Sequence, residues 1–301
     1  MLALIAGTGD LPQALLERLK TPPLVCALYG NTPKVRADVT FRIEHLGELL
    51  DGLQARGVTE VCMAGAIQRP EIDASAISEA TFPFVERILR ALQSGDDGAL
   101  RAVIGIFEDA GLTVKAAHEI APDLLPTEGV LTEVMPEDWH AADATAGETA
   151  VAQMGARDVG QACVVRVGQV RATEGQDGTA AMLKRFHESF KEDSNDHGPI
   201  IAVADAVGEV LGDVADWLSG IDGPAPVTAD DGILFKAPKP DQDRRADLPV
   251  IGPDTAMQAA EAALAGIVIE AGGVMVLDLP GVLQILNAQK MFLWVRPKGG
   301  G

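Results

Sequence analysis

The sequence has 301 residues, of which 47% are hydrophobic and 23% charged, so it is long enough for two ordinary domains and unlike a disordered chain. Its formal net charge of −20 argues against nucleic acid or an anionic membrane surface as a general partner. No apolar run reaches the roughly 18–20 residues that span a bilayer, and the first residues lack the basic region of a signal peptide, so we expect a cytoplasmic protein.

Strand-like and helix-like patterns alternate over the first 130 residues. The predicted strands are 2–6, 23–30, 39–43, 58–67 and 112–117, and the predicted helices are 11–19, 46–53, 71–93 and one that ends at Gly111. This alternation is typical of a Rossmann-like parallel sheet, in which ligands bind beyond the carboxyl ends of the strands. The segments "GTGDLP" (7–12) and "AIQRP" (66–70) are therefore predicted to lie at the ligand-binding edge.

The second half shows no regular alternation and is predicted to be a mixed α/β domain. Its predicted helices are 137–156, 179–190, 200–218, 255–264 and 280–290, and its predicted strands are 162–167, 232–238, 266–271, 274–278 and 292–295. Turn residues around 125–138 suggest domains at 1–132 and 133–296, followed by a tail at 297–301.

Acidic residues concentrate in one part of the second half. Residues 188–231 hold eleven Asp and Glu against the single basic Lys191. Within this stretch, helix 200–218 has an acidic row opposite an apolar face, which is either a metal-binding row or, as we prefer, a solvated face.

The spacing of the cysteines and histidines along the sequence does not match a metal-binding motif. Cys26, Cys62 and Cys163 lie in apolar stretches without CxxC or Cys/His spacing, so we expect buried, reduced thiols. No two of the five histidines stand at metal-ligand spacing.

A glycine turn, Gly7-Thr8-Gly9, follows the first predicted strand. Asp10 is predicted to cap the next helix, with Pro12 in its first turn. Such a turn offers backbone N–H groups and a helix N-terminus to a phosphate. Pro12 stands in place of the third glycine of a dinucleotide fingerprint, which disfavours a dinucleotide, so the turn either binds a nucleotide or is structural.

Two further segments carry groups suited to a diphosphate. In "ATEGQDGTAAML" (172–183), Glu174 and Asp177 lie on a glycine-rich loop that either holds a hard cation such as Mg²⁺ or caps a helix. In "LFKAPKPDQDRRADLPVIGPDT" (234–255), lysines and arginines precede a helix that Asp254 is predicted to cap. This second segment is either an anion site or a solvated charged loop.

Read together, these segments resemble the LpxI-type UDP-2,3-diacylglucosamine pyrophosphatases of lipid A biosynthesis. The resemblance rests on the order and spacing of "LIAGTGDLP", "QRP", "GDDG", "PDLLPTEGVL", "RDVGQACVV", "EGQDGTAAML" and "KAPKPDQDRRADLPVIGPDT". It implies a cytosolic enzyme that binds a UDP-diacylglucosamine lipid between its two domains. It also implies that the diphosphate is hydrolysed to UMP and 2,3-diacylglucosamine 1-phosphate (lipid X), with help from Mg²⁺ or Mn²⁺.

The segments and the resemblance together define the candidate residues. The catalytic candidates are Asp177, Thr179, Ala180, Lys236, Lys239, Gln242 and Asp243, and the metal candidates are Asp177 and Glu174. The substrate-binding candidates are Gly7, Thr8, Gly9, Asp10, Leu11, Gln68, Arg69, Asp96, Asp97, Arg244, Asp254 and Thr255. The resemblance further implies transient contact with the inner membrane surface, and a homodimer is a further expectation.

One position departs from the family pattern. After "DGT" the family typically has an aspartate, and this chain has Ala180. If that acid binds metal or a proton, this chain is expected to bind substrate but turn it over slowly, as an inactive or substrate-trapping variant. Two alternatives stay open: a non-catalytic nucleotide-sugar or lipid-binding protein, and an NAD-type oxidoreductase.

Overall fold

A computed structural model describes residues 1–93, 96–193, 232–240, 242–245 and 247–299. The predicted helix 200–218 and most of the acidic stretch 188–231 lie outside these residues. Within the described part of the chain, no helix is long and apolar enough to cross a membrane.

The first domain is a parallel α/β unit. Its elements are β1 (Leu2–Ala6), α1 (Leu11–Arg18), β2 (Leu24–Leu28), β3 (Val39–Phe41), α2 (Leu46–Ala55), β4 (Glu60–Ala64), α3 (Val85–Gln93), α4 (Asp96–Asp109), β5 (Thr113–Lys115) and α5 (Ala117–Ile120). The strands pair in the order β3-β2-β1-β4-β5, and every pair is parallel. This arrangement confirms the predicted Rossmann-like sheet.

The predicted helix 71–93 is wrong over most of its length. Short 3₁₀ turns occupy Ala74–Ala76 and Glu79–Phe84, and the α-helix begins only at Val85. Asp73 caps the first turn by accepting the Ser75 backbone N–H at 2.9 Å. Pro83, which has no N–H to donate, lies in the second turn and delays the α-helix.

The second domain is built on a mixed sheet. Its elements are β6 (Gly129–Val130), α6 (His140–Gly155), β7 (Ala162–Arg166), β8 (Gln169–Thr173), α7 (Gly178–Asp193), β9 (Ile233–Lys236), β10 (Val250–Ile251), α8 (Pro253–Glu261), β11 (Gly266–Glu270), β12 (Met275–Val276), α9 (Leu279–Ala288) and β13 (Phe292–Arg296). Among the described residues, one sheet has the order β6-β13-β11-β9-β7-β8, and β10 pairs with β12 in a small parallel ladder. Strands β9, β11 and β13 are parallel to one another, and the outer strands are antiparallel to their neighbours, as a mixed α/β domain requires.

The two ends of the second domain differ slightly from the predicted boundaries. Strand β6 already pairs with β13, a few residues before the predicted boundary at 132. At the other end, the backbone N–H of Gly299, in the predicted tail, donates to Glu148 Oε1 at 2.9 Å.

A hydrophobic cluster joins the two domains. From the first domain it contains Leu4 and Cys62 of the parallel sheet and Leu15 of α1. From the second domain it contains Leu248, two residues before β10, and Met275 of β12. This packing holds the β10–β12 ladder against the parallel sheet, beside the carboxyl ends of its central strands.

Candidate active site between the domains

A cavity of about 280 Å³ lies where the two domains meet. From the first domain it is lined by Thr8–Leu11, Met63–Ala66 and Ala117, and from the second by Gln161, Arg244, Arg245, Asp247, Leu248, Val250, Met275 and Leu277. The glycine turn and the cationic segment therefore face one space. This is the position at which parallel sheets bind ligands.

The glycine turn is locked to the loop after β4. The backbone N–H of Thr8 donates to Ala66 O at 2.8 Å, and the N–H of Ala66 donates back to Thr8 O at 3.1 Å. A Cβ at Gly7 would lie 2.4 Å from Ala66 O, and one at Gly65 would lie 2.4 Å from Thr8 O. Glycine is needed at both positions because two backbone segments meet here.

Asp10 does not cap α1 as predicted. It lies at the N-cap position, but its φ and ψ of −100° and −12° are helical and its side chain caps no backbone N–H among the described residues. Its Oδ1 instead lies 2.6 Å from Lys34 Nζ, and this hydrogen bond raises the pKa of the lysine. The charge of Asp254 in the second domain also raises this pKa, by less than Asp10 does.

The prediction that Asp254 caps α8 is also wrong. The N-cap is Gly252, Pro253 occupies the first helical position, and Asp254 follows in the first turn. Asp254 is exposed, and its neighbour Thr255 is half-buried.

The remaining candidates of the first domain lie outside the cavity lining. Gln68 and Arg69 are exposed on the loop after β4, and the backbone N–H of Gln68 donates to Asn31 Oδ1 at 2.8 Å. Asp96 and Asp97 begin α4, and their side chains lie outside the described part of the structure.

Arg244 supplies positive charge to the cavity wall. Its Nη2 lies 3.5 Å from Glu270 Oε1, and its Nη1 lies 3.4 Å from Gly272 O. Glu270 is buried, and this burial raises its pKa. The long contacts orient the guanidinium without enclosing it, so it remains suited to bind an anion.

Asp243 is paired with its neighbour Arg245. Arg245 Nε and Nη2 lie 3.0 and 2.7 Å from the two carboxylate oxygens of Asp243. This pairing holds the pKa of Asp243 below its usual value. A carboxylate held in this way is a weak proton acceptor, which disfavours a role as general base.

Lys239 and Gln242 contact protein groups. Lys239 Nζ donates to Asp158, and its backbone N–H donates to Gln242 Oε1 at 3.0 Å. The Gln242 side-chain amide also donates to Asp247, which lines the cavity. These two residues shape the loop behind the cavity wall.

A buried chain of hydrogen bonds supports the beginning of α7. Lys236 Nζ donates to Thr179 Oγ1 at 2.8 Å, and the Thr179 hydroxyl donates to Glu174 Oε1 at 2.5 Å. The other oxygen of Glu174 accepts the backbone N–H of Gln161 at 2.7 Å. Burial lowers the pKa of Lys236, and the charges of Glu174 and Asp247 oppose this shift.

The carboxylates of this segment do not fit a divalent cation. Both oxygens of Glu174 accept hydrogen bonds from the protein, and Asp177 is paired with Arg185 in an exposed position. The described residues contain no group of three or more His, Cys, Asp or Glu side chains able to hold a metal ion. Ala180, the third residue of α7, is exposed and offers no ligand.

Sequence reasoning missed several residues of the cavity. Asp247 and Gln161 contribute polar groups, and Leu248, Val250, Met275 and Leu277 form its apolar wall. For Gln161, the available signal was its place in the motif "RDVGQACVV", directly before a buried strand.

A Rossmann-like domain and a mixed α/β domain together enclose a cavity lined by a glycine turn and an arginine. This arrangement is typical of two-domain α/β proteins that bind a small ligand between their domains. A model of the LpxI N-terminal domain matches residues 1–124, and a model of the LpxI C-terminal domain matches residues 127–294. The chain belongs to the LpxI family. It is also similar to the UDP-2,3-diacylglucosamine pyrophosphatase LpxI of Caulobacter vibrioides, with 33% identity over 97% of this chain and 96% of that protein.

Proposed function

We propose that this protein hydrolyses the diphosphate of UDP-2,3-diacylglucosamine to UMP and 2,3-diacylglucosamine 1-phosphate. The observation that carries the proposal is the cavity that brings Thr8 and Gly9 of the glycine turn to one space with Arg244. Membership of the LpxI family supports the same reaction.

In this proposal the first domain binds the nucleotide half. The beginning of α1 opens on the cavity through Thr8–Leu11, so its free N–H groups and helix dipole favour a phosphate there. Gly9, with φ of +90° and no atom within 4 Å of an added Cβ, leaves room for the ligand to approach the backbone.

The second domain supplies charge to the diphosphate. Arg244 offers several N–H donors in a planar fork that matches phosphoryl oxygens. Glu270 positions this guanidinium from behind. A bound diphosphate would therefore lie between Arg244 and the glycine turn.

The proposal also includes slow turnover. Hydrolysis requires a water molecule to attack phosphorus while the P–O–P bridge breaks, and a positioned acid or base assists this step. Family resemblance implies a divalent metal that withdraws charge from the phosphoryl oxygens, but the described carboxylates do not fit such an ion. Ala180 stands where the family has an aspartate, so we propose that this chain binds substrate well and converts it slowly.

The test restores the missing acid. Ala180→Asp should release UMP from UDP-2,3-diacylglucosamine about 10²–10⁴-fold faster than the unaltered chain, and the assay is run both with and without Mg²⁺ or Mn²⁺. Ala152→Asp, an equivalent change at an exposed position of α6, is the control and should change nothing. Rapid hydrolysis by the unaltered chain would contradict slow turnover but leave the hydrolase proposal intact.

A non-catalytic lipid-binding role is the second candidate function, and the exposed, non-ligating Ala180 favours it. If the Ala180→Asp variant binds the UDP-lipid yet releases no UMP, this role replaces hydrolysis. Either role requires access to a lipid, so we also propose transient contact with the inner membrane surface from a cytoplasmic location. A homodimer remains part of the proposal.

A further inference from the structure

Gln161 lines the cavity but has no role in the reaction as proposed so far. It directly precedes β7 and faces the same space as Arg244 and the turn at 8–11. It therefore adds an uncharged polar group of the second domain to a cavity that the glycine turn lines from the first.

The backbone around Gln161 is fixed on both sides. Its N–H donates to Glu174 Oε2 at 2.7 Å, and its C=O accepts the N–H of Ala237 at 3.1 Å. The preceding Gly160 has φ of +129°, and a Cβ there would lie 2.5 Å from Glu174 O. The backbone of Gln161 is therefore fixed before any ligand binds, while the amide at the end of its side chain is still able to turn.

The side-chain oxygen of Gln161 lacks a protein partner. Oε1 is buried and accepts no hydrogen bond from any described residue. A buried acceptor without a donor costs free energy, so turning the amide until Oε1 meets a donor on a ligand in the cavity breaks no protein hydrogen bond to this oxygen and removes that cost. A diphosphate at neutral pH offers only acceptor oxygens, whereas the hydroxyl and amide groups of an amino sugar can donate.

We propose that Gln161 is a sugar-binding residue. Its Oε1 accepts a hydrogen bond from a hydroxyl or amide N–H of the glucosamine ring, and this contact orients the attached diphosphate against Arg244. The inference rests on the proposed function and adds a specificity-determining residue to it. The donors of the ribose and uracil are the competing partners, and they lie on the nucleotide half of the ligand.

The experiment compares two ligands that differ by the acylated sugar. Binding of UDP, and of UDP-2,3-diacylglucosamine in detergent micelles, is measured by calorimetry for the unaltered chain, Gln161→Met and Gln284→Met. Gln284 is exposed on α9 and provides the matched control. We expect Gln161→Met to weaken binding of the sugar nucleotide about tenfold, or about 1.4 kcal/mol, and to leave UDP binding unchanged.

Thermal unfolding of the free protein separates this role from a structural one. Gln161→Met removes an unpaired buried acceptor, so the Tm of the free variant should equal or exceed that of the unaltered chain. A structural role predicts a lower Tm and equal losses for both ligands. If Gln161→Met fails to fold, Gln161→Asn keeps the amide and retracts it by one methylene, and it should show the same selective loss.

The outcomes distinguish the two proposals. Equal weakening of both ligands, or unchanged binding of both, overturns the assignment of Gln161 to the sugar. Failure of the unaltered chain to bind UDP-2,3-diacylglucosamine overturns the proposed function itself, and this is seen before any substitution is made.

Discussion

Arg245 and Glu108 form an ion pair between the domains, with Arg245 Nη1 2.6 Å from Glu108 Oε1. Glu108 lies near the end of α4 in the first domain. Arg245 lies on the cavity wall of the second domain and is also paired with Asp243. The pair therefore ties the cationic cavity segment to α4 of the first domain.

We predict that this pair affects ligand binding more than stability. Both side chains are more than a third exposed, at 40% and 47%, so solvent screens their attraction. A double-mutant cycle with Glu108→Ala and Arg245→Ala should give a coupling free energy of at most about 1 kcal/mol by urea unfolding, smaller at high salt. Affinity for UDP-2,3-diacylglucosamine should fall several-fold in Glu108→Ala, because the cavity segment loses its anchor.

The pair Arg87–Asp109 provides the control for this cycle. Its N–O distance is also 2.6 Å and it is similarly exposed, but it joins α3 to α4 within the first domain. Asp109→Ala should have a similar small effect on unfolding and no effect on ligand affinity. Equal affinity losses in Glu108→Ala and Asp109→Ala would contradict a specific role for the interdomain pair.

A second prediction separates backbone strain from ligand access at the glycine turn. Gly9 and Gly30 have φ of +90° and +88°, and an added Cβ meets no atom within 4 Å at either position. Gly9→Ala and Gly30→Ala should therefore lose similar free energy of unfolding, on the order of 1 kcal/mol. Since only Gly9 lines the cavity, only Gly9→Ala should weaken binding of UDP in calorimetry.

Gly7→Ala tests steric contact at the same turn. The added Cβ would lie 2.4 Å from the carbonyl oxygen of Ala66, which is backbone and cannot rotate away. The loss of free energy of unfolding should exceed that of Gly9→Ala, at about 1–3 kcal/mol or more. A smaller loss than in Gly9→Ala, measured by urea unfolding, would show that the loop after β4 yields easily.

The fold was predictable wherever hydrophobic pattern and turn residues agreed. The alternating pattern of the first domain led directly to the parallel sheet, because a helix separates β1, β3 and β4 from the next strand in each case. The single helix predicted over 71–93 was wrong because it ran through Pro83, which lies in a 3₁₀ turn just before the α-helix begins at Val85. Strand β8 was missed because it is an edge strand with mostly exposed residues, so it carries no buried face in its pattern.

The site was predictable in its backbone features but less so in its charges. The glycine turn is recognisable from its residue types alone. Arg244 lines the cavity, as the positive charge of its segment predicted. A sequence does not reveal which charged side chains pair with one another. Asp243 was therefore a catalytic candidate by residue type, although the structure pairs its carboxylate with Arg245. Gln161 was missed because a neutral amide gives no charge signal, and its unpartnered oxygen is visible only in three dimensions.

A further prediction concerns Arg244 and the diphosphate. Arg244→Gln should weaken binding of UDP about tenfold or more, because a hydrogen bond to a charged group contributes about 1.5–3 kcal/mol. The affinity of the unaltered chain should also fall more steeply with salt than that of the variant. Arg171→Gln, at an exposed position of β8 outside the cavity lining, is the control. Unchanged UDP affinity in Arg244→Gln would remove this arginine from the phosphate site.

The last prediction concerns the three buried thiols and alkaline pH. Burial raises the pKa of Cys26 to about 11 and the pKa values of Cys62 and Cys163 to about 12, from an ordinary value of 9.0. Above pH 9 the unfolded chain therefore loses thiol protons that the folded chain retains, so the thiols lower the free energy of unfolding as pH rises. The contribution of the thiols to the free energy of unfolding is complete below pH 9. It declines as the pH rises from 9 towards the pKa values of the folded protein, about 11 to about 12.

Urea unfolding in reducing buffer from about pH 8 to pH 11 tests the sign of this effect. The double variant Cys62→Ala/Cys163→Ala should be less stable at pH 8, because it leaves two small cavities, but its stability should fall less steeply with pH. Lys236 has a lowered pKa and acts in the opposite direction, and it contributes equally to both proteins, so the difference in slope reports the thiols. Equal slopes, or fast reaction of the native thiols with a thiol reagent near neutral pH, would show that these cysteines are not held protonated by burial.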